Sequence, residues 1–370
     1  MYFRPNRSKA VDKEDAAHCE VQASPKLYEA IKGDRGGEVA DYIAEIESLG
    51  DEWLMTSDSE ASATLQSLPN DTLSGVINIR RLNNTKHLNT FFKLVNDKLT
   101  PGGHLLCCVE LKNTRKKRIL SRYPWGIKWL VYSLDYIIKR VLPKLRITRG
   151  LYFFITRGYH RVLTFTEVLG RLYASGFELM SEQQIGDLHY LQLRKVGSPN
   201  LHINRNYGLF IKLPRVGKGG EMINVYKLRT MHPYAEYILS YVLQNQESKP
   251  WQKPDDDFRV TTVGKFFRRF WIDELPMILN LLKGQLKLVG VRPLSRHKYE
   301  TYPDYLQEKR IKTKPGLVPP YYADMPKMEE ELWDSENRYL DAYLKNPWRT
   351  DWRYFWKAMH NIIIKGERSS

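Results

Sequence analysis

The sequence predicts an α/β protein of two units: an N-terminal partial Rossmann-like α/β unit, followed by an α+β domain that carries amphipathic helices. Two observations carry that prediction. Short apolar strands alternate with amphipathic helices from Glu38 to Arg194, and beyond the polar stretch GSPNLHINRNYG (197–208) a glycine-punctuated hairpin leads to a helix opening on two adjacent acids. The expected boundaries are a flexible tail over 1–37, an α/β domain over 38–196 with an amphipathic insert at 123–158, a second domain over 205–325, and a helical extension over 326–370.

In the first unit, GEVADYIAEIESLG has helical spacing, while SGVINIR and HLLCCVEL are short apolar strands. TKHLNTFFKLVNDKLTPGG between them is a helix closed by Pro101-Gly102-Gly103. TFTEVLGRLYASG is a helix capped by Thr164 or Thr166, and FELMSEQQIGDLHYLQLRK is a hairpin.

The insert places Leu130, Leu134, Ile137, Ile138, Val141 and Leu145 on one helical face and Lys128, Asp135, Lys139 and Arg146 on another. Trp125, Trp129 and Tyr132 sit at its start. Such a helix either lies on an anionic bilayer or packs its stripe on the same protein. In the last segment Trp348, Trp352, Phe355, Met359 and Ile362 or Ile363 recur at helical spacing, and docking of that stripe into the core is the expectation.

Bulk composition narrows the function classes. With 42% hydrophobic and 12% aromatic residues the chain has enough apolar surface to fold. A formal charge of +16 calls for an anionic partner: nucleic acid, acidic lipid or phosphorylated substrate. Three cysteines, Cys19, Cys107 and Cys108, supply neither a disulfide framework nor a cysteine-based zinc site. The basic N-terminus has no apolar stretch behind it, which predicts a chain facing the cytoplasm, and no window reaches the roughly 20 apolar residues of a spanning helix. Membrane contact is therefore expected to be interfacial.

The residues that carry chemistry lie in the second unit. In LFIKLPRVGKGGEMINVYKLRTM, Gly217, Gly219 and Gly220 form a hairpin turn, and alternation along the next strand puts Lys227 and Arg229 on one face, where two cations can hold a diphosphate. Further on, Leu275, Ile278, Leu279 and Leu282 follow helical spacing, Pro276 fits a first turn and Gly284 ends the run, so Asp273 and Glu274 open a helix. There the free amides, with Arg268 and Arg269 upstream, are expected to keep a carboxylate ionised and to lower its pKa. An ionised carboxylate among phosphate-binding cations can act as a nucleophile. The plainer role for an acid at that place is a helix cap.

Taken in order, these segments resemble the bacterial sugar transferase family, the monotopic polyprenyl-phosphate phosphoglycosyltransferases. The resemblance rests on Arg215-Val216-Gly217 with Gly220, Tyr226-Lys227-Leu228-Arg229-Thr230-Met231, and Arg259, Thr261, Gly264 and Arg268. Asp273-Glu274-Leu275-Pro276, Asn280 with Leu282-Lys283-Gly284, Gly290-Val291-Arg292-Pro293 and Lys314-Pro315-Gly316 complete it.

The resemblance implies transfer of a sugar 1-phosphate from a UDP-sugar to undecaprenyl phosphate, with release of UMP. It also implies Mg²⁺ near the dyad Asp273 and Glu274, which would be its ligands. Asp273 would be the nucleophile and Glu274 would position the metal or assist proton transfer, while Arg215, Lys227, Arg229, Arg268 and Arg292 would bind phosphate. It places the protein at the cytoplasmic face of the inner membrane with an anionic membrane surface and other glycan-assembly enzymes as partners, and no nucleic acid. A non-catalytic nucleotide-sugar-binding or scaffold relative is the alternative. Members carry an apolar re-entrant hairpin before the R-V-G segment, where this chain has polar GSPNLHINRNYG, and the insert around Trp125 to Phe154 is expected to substitute as an anchor. The proline of the family's G-P-R-P is Val291 here, the acid after K-G is Gln285, and K-P-G leads into Leu317-Val318-Pro319-Pro320.

The order strand, helix, L-x-P-G-G, strand over 70–195 resembles the second half of an S-adenosylmethionine-dependent methyltransferase domain. No glycine-rich turn precedes it, so the unit is expected to be a degenerate scaffold.

Overall fold

In the computed structural model, residues 25–44, 53–56, 61–145, 147–200, 207–245 and 257–364 are described. Two compact units divide the chain, Met1–Tyr207 with Pro233–Val242 and Gly208–His232 with Leu243–Ser370.

The first unit opens with helices α1 (Pro25–Arg35) and α2 (Gly37–Ala44). Within the expected tail, residues 1–24 lie outside the described residues, but α1 does not, and its Ile31 is buried beside Val39 and Ile43 of α2. Strand β1 (Trp53–Thr56), helix α3 (Ala61–Ser67), β2 (Leu73–Arg81), α4 (Leu88–Lys98) and β3 (Leu99–Val109) follow. Then come α5 (Lys112–Arg122), α6 (Trp125–Tyr136), α7 (Arg149–Thr156) and α8 (Phe165–Ala174), and the hairpin β4 (Phe177–Ile185) and β5 (Leu188–Lys195). The sheet order is β1-β2-β3-β5-β4, with β1, β2 and β3 parallel and the last hairpin antiparallel.

Consecutive residues of a strand face opposite ways, and here both faces are covered. Val76, Leu105 and Cys107 join one core with Phe92, Val95, Val168 and Leu172, whereas Ile77, Leu106 and Cys108 join the other with Trp53, Ile31 and Ile43. The two adjacent cysteines are thus free thiols buried on opposite sides of the sheet, and burial pushes both up in pKa. Thr164 caps α8, its side chain accepting from the Glu167 amide. Pro101-Gly102-Gly103 lies inside β3, where the register against β2 shifts, and not after the helix as a separate stop.

The insert differs from a core helix. No residue of α6 is buried; Trp125 is 82% exposed, and Leu130, Leu134 and, in α7, Phe154 are exposed too. Its far end is nevertheless tied down: buried Arg140 donates to the Glu167 carboxylate and to Val162 O at 2.9 Å. Arg146 lies outside the described residues. Pro233–Val242, expected within the second domain, packs with this unit. Tyr234 adopts a left-handed backbone, accepts from Asn89 Nδ2 at 2.6 Å and carries the Arg171 guanidinium over its ring at 4.3 Å.

The second unit begins with the antiparallel hairpin β6 (Phe210–Val216) and β7 (Met222–Leu228), turned at Lys218–Gly220. Helix α9 (Thr262–Arg269) follows, then a 3₁₀ segment Ile272–Met277 that runs into α10 (Ile278–Leu282), and the parallel pair β8 (Lys287–Val289) and β9 (Gly316–Val318). Between those strands lie α11 (Arg296–Glu300) and α12 (Asp304–Ile311); after them come α13 (Tyr321–Asp324), α14 (Glu329–Lys345) and α15 (Pro347–Ile364).

Of the extension expected at 326–370, the described part to Ile364 contributes to this unit's core, since Tyr339, Leu340, Tyr354 and Ala358 pack with Val289, Val291, Tyr302 and Leu306. Helix α15 docks as expected but through another face. Thr350, Tyr354, Ala358 and Asn361 are buried, while Trp348 and Trp352 stay exposed, Trp348 at 89%. Asn361 explains the choice: its Nδ2 donates to Tyr322 O at 3.0 Å and Ala323 O at 2.9 Å, bonds that a tryptophan face could not offer to α13.

Candidate active site

Asp273 and Glu274 sit in the first turn of the 3₁₀ segment, behind Trp271 in a left-handed conformation. Pro276 falls inside the 3₁₀ segment and not in its first turn as expected, two residues before α10 begins, and Gly284 ends the run at φ 66°. The side chains of the dyad face different surroundings. Asp273 is 8% exposed, whereas Glu274 meets Lys227 Nζ at 2.5 Å through Oε1.

The expected lowering of the Asp273 pKa is overturned. Burial raises it above the ordinary aspartate value, Glu274 pushes the same way, and Lys227 and Arg268 offset this only in part. Desolvation wins because the carboxyl is enclosed and its cations lie at a distance rather than in direct contact. A carboxylate in that position is more basic than a solvated one.

Three cations gather around the dyad. Lys227 comes from β7, where alternation puts it on the side of the 3₁₀ segment. Arg268, in the last turn of α9, donates through Nε to Thr230 Oγ1 at 3.0 Å, and its field is felt by Asp273. Arg292 follows β8; neighbouring Tyr321 is the main influence that raises its pKa, with Glu274 adding to it, so it stays a cation. Arg215 adjoins Arg292, and burial first, then that like charge, lowers its pKa. Arg229 takes another role: it lies just past the end of β7, its Nε donates to Gly208 O at 2.9 Å and its amide to Leu209 O at 2.7 Å. The strongest charges on Asp273 are those of Lys227, Glu274 and Arg268. The cations whose charge reaches the dyad are thus Lys227, Arg268 and Arg292, from three elements, whereas Lys227 and Arg229 were expected to act together from one strand face.

Residues named only as motif letters in the sequence prove to be the mounting of this site. Thr261 caps α9, accepting from Gly264 N at 2.8 Å, while its own amide donates to Thr230 O at 2.9 Å. Gly264 is needed because a Cβ there would come within 2.0 Å of Thr230 O, and this close approach brings Arg268 onto the Thr230 hydroxyl one helical turn later. Arg259 is held by Asp257 in a two-pronged pair, Nη2 to Oδ2 at 2.8 Å and Nε to Oδ1 at 2.9 Å. Gly290 and Gly316 allow the strands bearing Arg292 and the Lys314-Pro315-Gly316 segment to touch backbone to backbone; Gly316 N donates to Val291 O at 3.0 Å. Arg310, itself paired to Glu336, donates to Arg292 O.

Asn280 is the least dispensable of these supports. Fully buried, it donates to Asn224 O at 2.7 Å and Gln285 Oε1 at 2.8 Å and accepts from Tyr226 N at 3.0 Å, thereby locking α10 to the strand that presents Lys227. Asn280→Ala should leave buried donors and acceptors unpaired and cost about 2–4 kcal/mol of stability in urea unfolding with an unchanged m-value. A loss under about 0.5 kcal/mol would mean the amide is not the lock described.

The fold and site together define an α+β domain in which a buried carboxylate faces cations able to hold phosphate. Residues 200–365 match the sequence model of the family described as Bacterial sugar transferase. Among similar proteins, the "Galactosyl transferase CpsE" of Streptococcus agalactiae serotype III (strain NEM316) is 40% identical over 128 residues, which is 34% of this chain and 26% of that protein. An "Undecaprenyl-phosphate galactose phosphotransferase" of Salmonella typhimurium (strain LT2) is 36% identical over 109 residues, 28% of this chain and 23% of that protein. The chain thus spans about a quarter of the length of these relatives. An S-adenosylmethionine dependent methyltransferase structure from Mesorhizobium loti aligns with 43% of this chain and 86% of its own at 15% identity and a TM-score of 0.26, a likeness too low to bear on function.

Proposed function

We propose that the second unit transfers a sugar 1-phosphate from a UDP-sugar to undecaprenyl phosphate, the opening step of exopolysaccharide, capsule or O-antigen assembly. The observation that carries this reading is the enclosed Asp273 carboxylate beside Lys227, Arg268 and the Lys227-paired Glu274. A carboxylate oxygen of Asp273 attacks the β-phosphorus, the bond from that phosphorus to the bridging oxygen breaks, and UMP leaves with the electron pair. An oxygen of the lipid phosphate then attacks the aspartyl phosphosugar, and the Asp273 carboxylate is released. Arg268 and Arg292 offset charge that builds on the phosphoryl oxygens in both halves, the main electrostatic task of phosphoryl transfer. Lys227 holds Glu274 in place, and its charge offsets that of the departing phosphate.

The donor set suits Mg²⁺. No cluster of three or more metal-ligating side chains occurs among the described residues, and magnesium bound to substrate phosphates needs only one or two carboxylates. Asp273 and the Glu274 oxygen turned away from Lys227 would hold it, and when bound it would screen the diphosphate charge. The enzymatic test is incubation of the purified chain with undecaprenyl phosphate, Mg²⁺ and a panel of UDP-sugars while UMP is followed. Silence across the panel would favour a non-catalytic sugar-nucleotide binder.

The same reading assigns a membrane surface to each unit's unburied apolar side chains. No helix among the described residues is long and apolar enough to cross a membrane. In the first unit Trp125, Trp129, Leu130 and Phe154 are exposed, with Lys116 over the rings of Trp129 and Tyr132 at 5.2 and 5.7 Å. In the second, Val263, Phe266, Phe270 and Leu282 are exposed. Aromatic and basic side chains mixed in this way suit an anionic bilayer interface. Replacing Trp125, Trp129, Leu130 and Phe154 with serine should cut the fraction of protein that pellets with anionic vesicles by about half or more, at about 1–2 kcal/mol of burial per large side chain. Unchanged pelleting would remove the insert as an anchor.

A further inference from the structure

The first unit contains a cavity of about 300 Å³ that the transferase reading does not use. It lies at the carboxyl ends of two adjacent parallel strands, where β2 finishes at Arg81 and β3 gives way to Glu110. In open α/β sheets that is where ligands bind, because the strand ends and the loops after them form a crevice. Helix α5 supplies one wall through Arg118 and Arg122, and α6 the facing wall through Val131 and Asp135.

The charge of this cavity is lopsided. Five cationic side chains, Arg81, Arg115, Arg118, Arg122 and Lys139, line it against the two carboxylates Glu110 and Asp135. Both carboxylates are already engaged. Glu110, 2% exposed, accepts from Arg115 Nη1 at 3.0 Å and Arg118 Nε at 2.8 Å, while Asp135 accepts from Arg115 Nε at 2.7 Å and pairs with Lys139 at 3.0 Å. That buried lattice fixes the wall without neutralising it. Among the described residues, neither Arg81 nor Arg122 has a carboxylate within ion-pair range. On the rim, the pKa of His160 is lowered, first by burial and then by Lys139, Arg115 and Arg81, as a net positive interior requires. Ile119 and Tyr123 add apolar wall beside the cations.

We propose that this cavity is a binding site for a phosphoryl group, held chiefly by Arg81 and Arg122 and backed by Arg118. Two unpaired guanidinium groups on a rigid, salt-bridged frame match the fork geometry of phosphate oxygens. The phosphoryl group can be presented by a lipid headgroup, since α6 borders the cavity and keeps its apolar side chains unburied, or by a small phosphate ester from solution.

The test uses the full chain in two arms. Binding is measured to vesicles of phosphatidylcholine with about one-fifth phosphatidylglycerol, referred to pure phosphatidylcholine vesicles, and to inorganic phosphate by calorimetry. Arg81→Ala combined with Arg122→Ala is compared with Lys93→Ala combined with Lys117→Ala, which removes the same charge from exposed positions outside the cavity. The cavity pair should weaken binding about tenfold or more in at least one arm, and the control pair by less than about threefold. A fall confined to vesicles identifies a lipid headgroup, and a fall in the phosphate isotherm identifies a small ester. Because Arg122 is exposed, Arg122→Glu repeats the test without a folding cost. Equal losses for both pairs, or no binding of either probe by the wild-type chain, would overturn the site.

Discussion

Asp273→Asn is expected to lower UMP release by at least about a thousandfold while the chain stays folded, since the variant keeps the shape of the side chain but exchanges the anionic carboxylate for a neutral amide, whose oxygen is a poor nucleophile. The stability of the variant carries independent information. Burial raises the Asp273 pKa in the folded chain above its unfolded value, so the folded state holds that proton more firmly. Above the folded pKa the ionised form therefore costs stability, and a neutral asparagine relieves that cost. Tm at neutral pH should accordingly be equal to or higher than that of the wild type, and the difference should vanish as the pH falls below the unfolded aspartate range. The same shift fixes the sign of the rate profile. Turnover needs the ionised form, so the acid limb should lie above the pH at which a solvated aspartate titrates. A Tm that drops in Asp273→Asn would show that the carboxylate serves structure rather than chemistry.

Arg268→Ala should cost about a hundred- to a thousandfold in kcat/KM, the range seen when one preorganised donor to a developing charge is removed. Two consequences separate this from general damage. Arg268 lowers the Asp273 pKa, so its removal should move the acid limb further up. Arg268→Lys retains the charge but gives up the planar contact with Thr230 Oγ1, so it should recover part of the rate and most of the pH profile. If alanine and lysine variants share one rate and one profile, the charge of Arg268 does not act on the nucleophile.

The sequence located the acidic pair in its local structure more fully than in its environment. Spacing placed Asp273 and Glu274 at the opening of a helix because Pro276, the leucine pattern and Gly284 are local signals, and the structure has them there. Alternation put Lys227 on one face of its strand, and the structure sets that lysine against Glu274. The pKa of Asp273 was out of reach because burial depends on contacts made by distant segments, and burial is its largest influence. Arg229 was expected on the strand face of Lys227, but β7 ends at Leu228 and the Arg229 Nε donates to Gly208 O. Asn280, Gly264, Gly290 and Gly316 were visible as motif letters, yet their work is long-range: a buried amide bridging a helix and a strand, and three places where backbones meet too closely for a Cβ.

The same limit governs the fold. Parallel strands, the β4–β5 hairpin and the Thr164 cap follow from local pattern. Helix α15 shows the failure, because its apolar period favours the tryptophan face, whereas the docked face was selected by Asn361 bonds and the small Ala358 against α13. Pro233–Val242 crossed to the first unit through Tyr234, whose hydroxyl and ring partners Asn89 and Arg171 lie far away in sequence.

The most direct measurement is mass spectrometry of the chain mixed with a UDP-sugar and Mg²⁺ in the absence of undecaprenyl phosphate. One added sugar phosphate is expected, carried on the peptide that contains Asp273 and discharged when the lipid is supplied. An adduct on another residue, or UMP release that persists undiminished in Asp273→Asn, would contradict it.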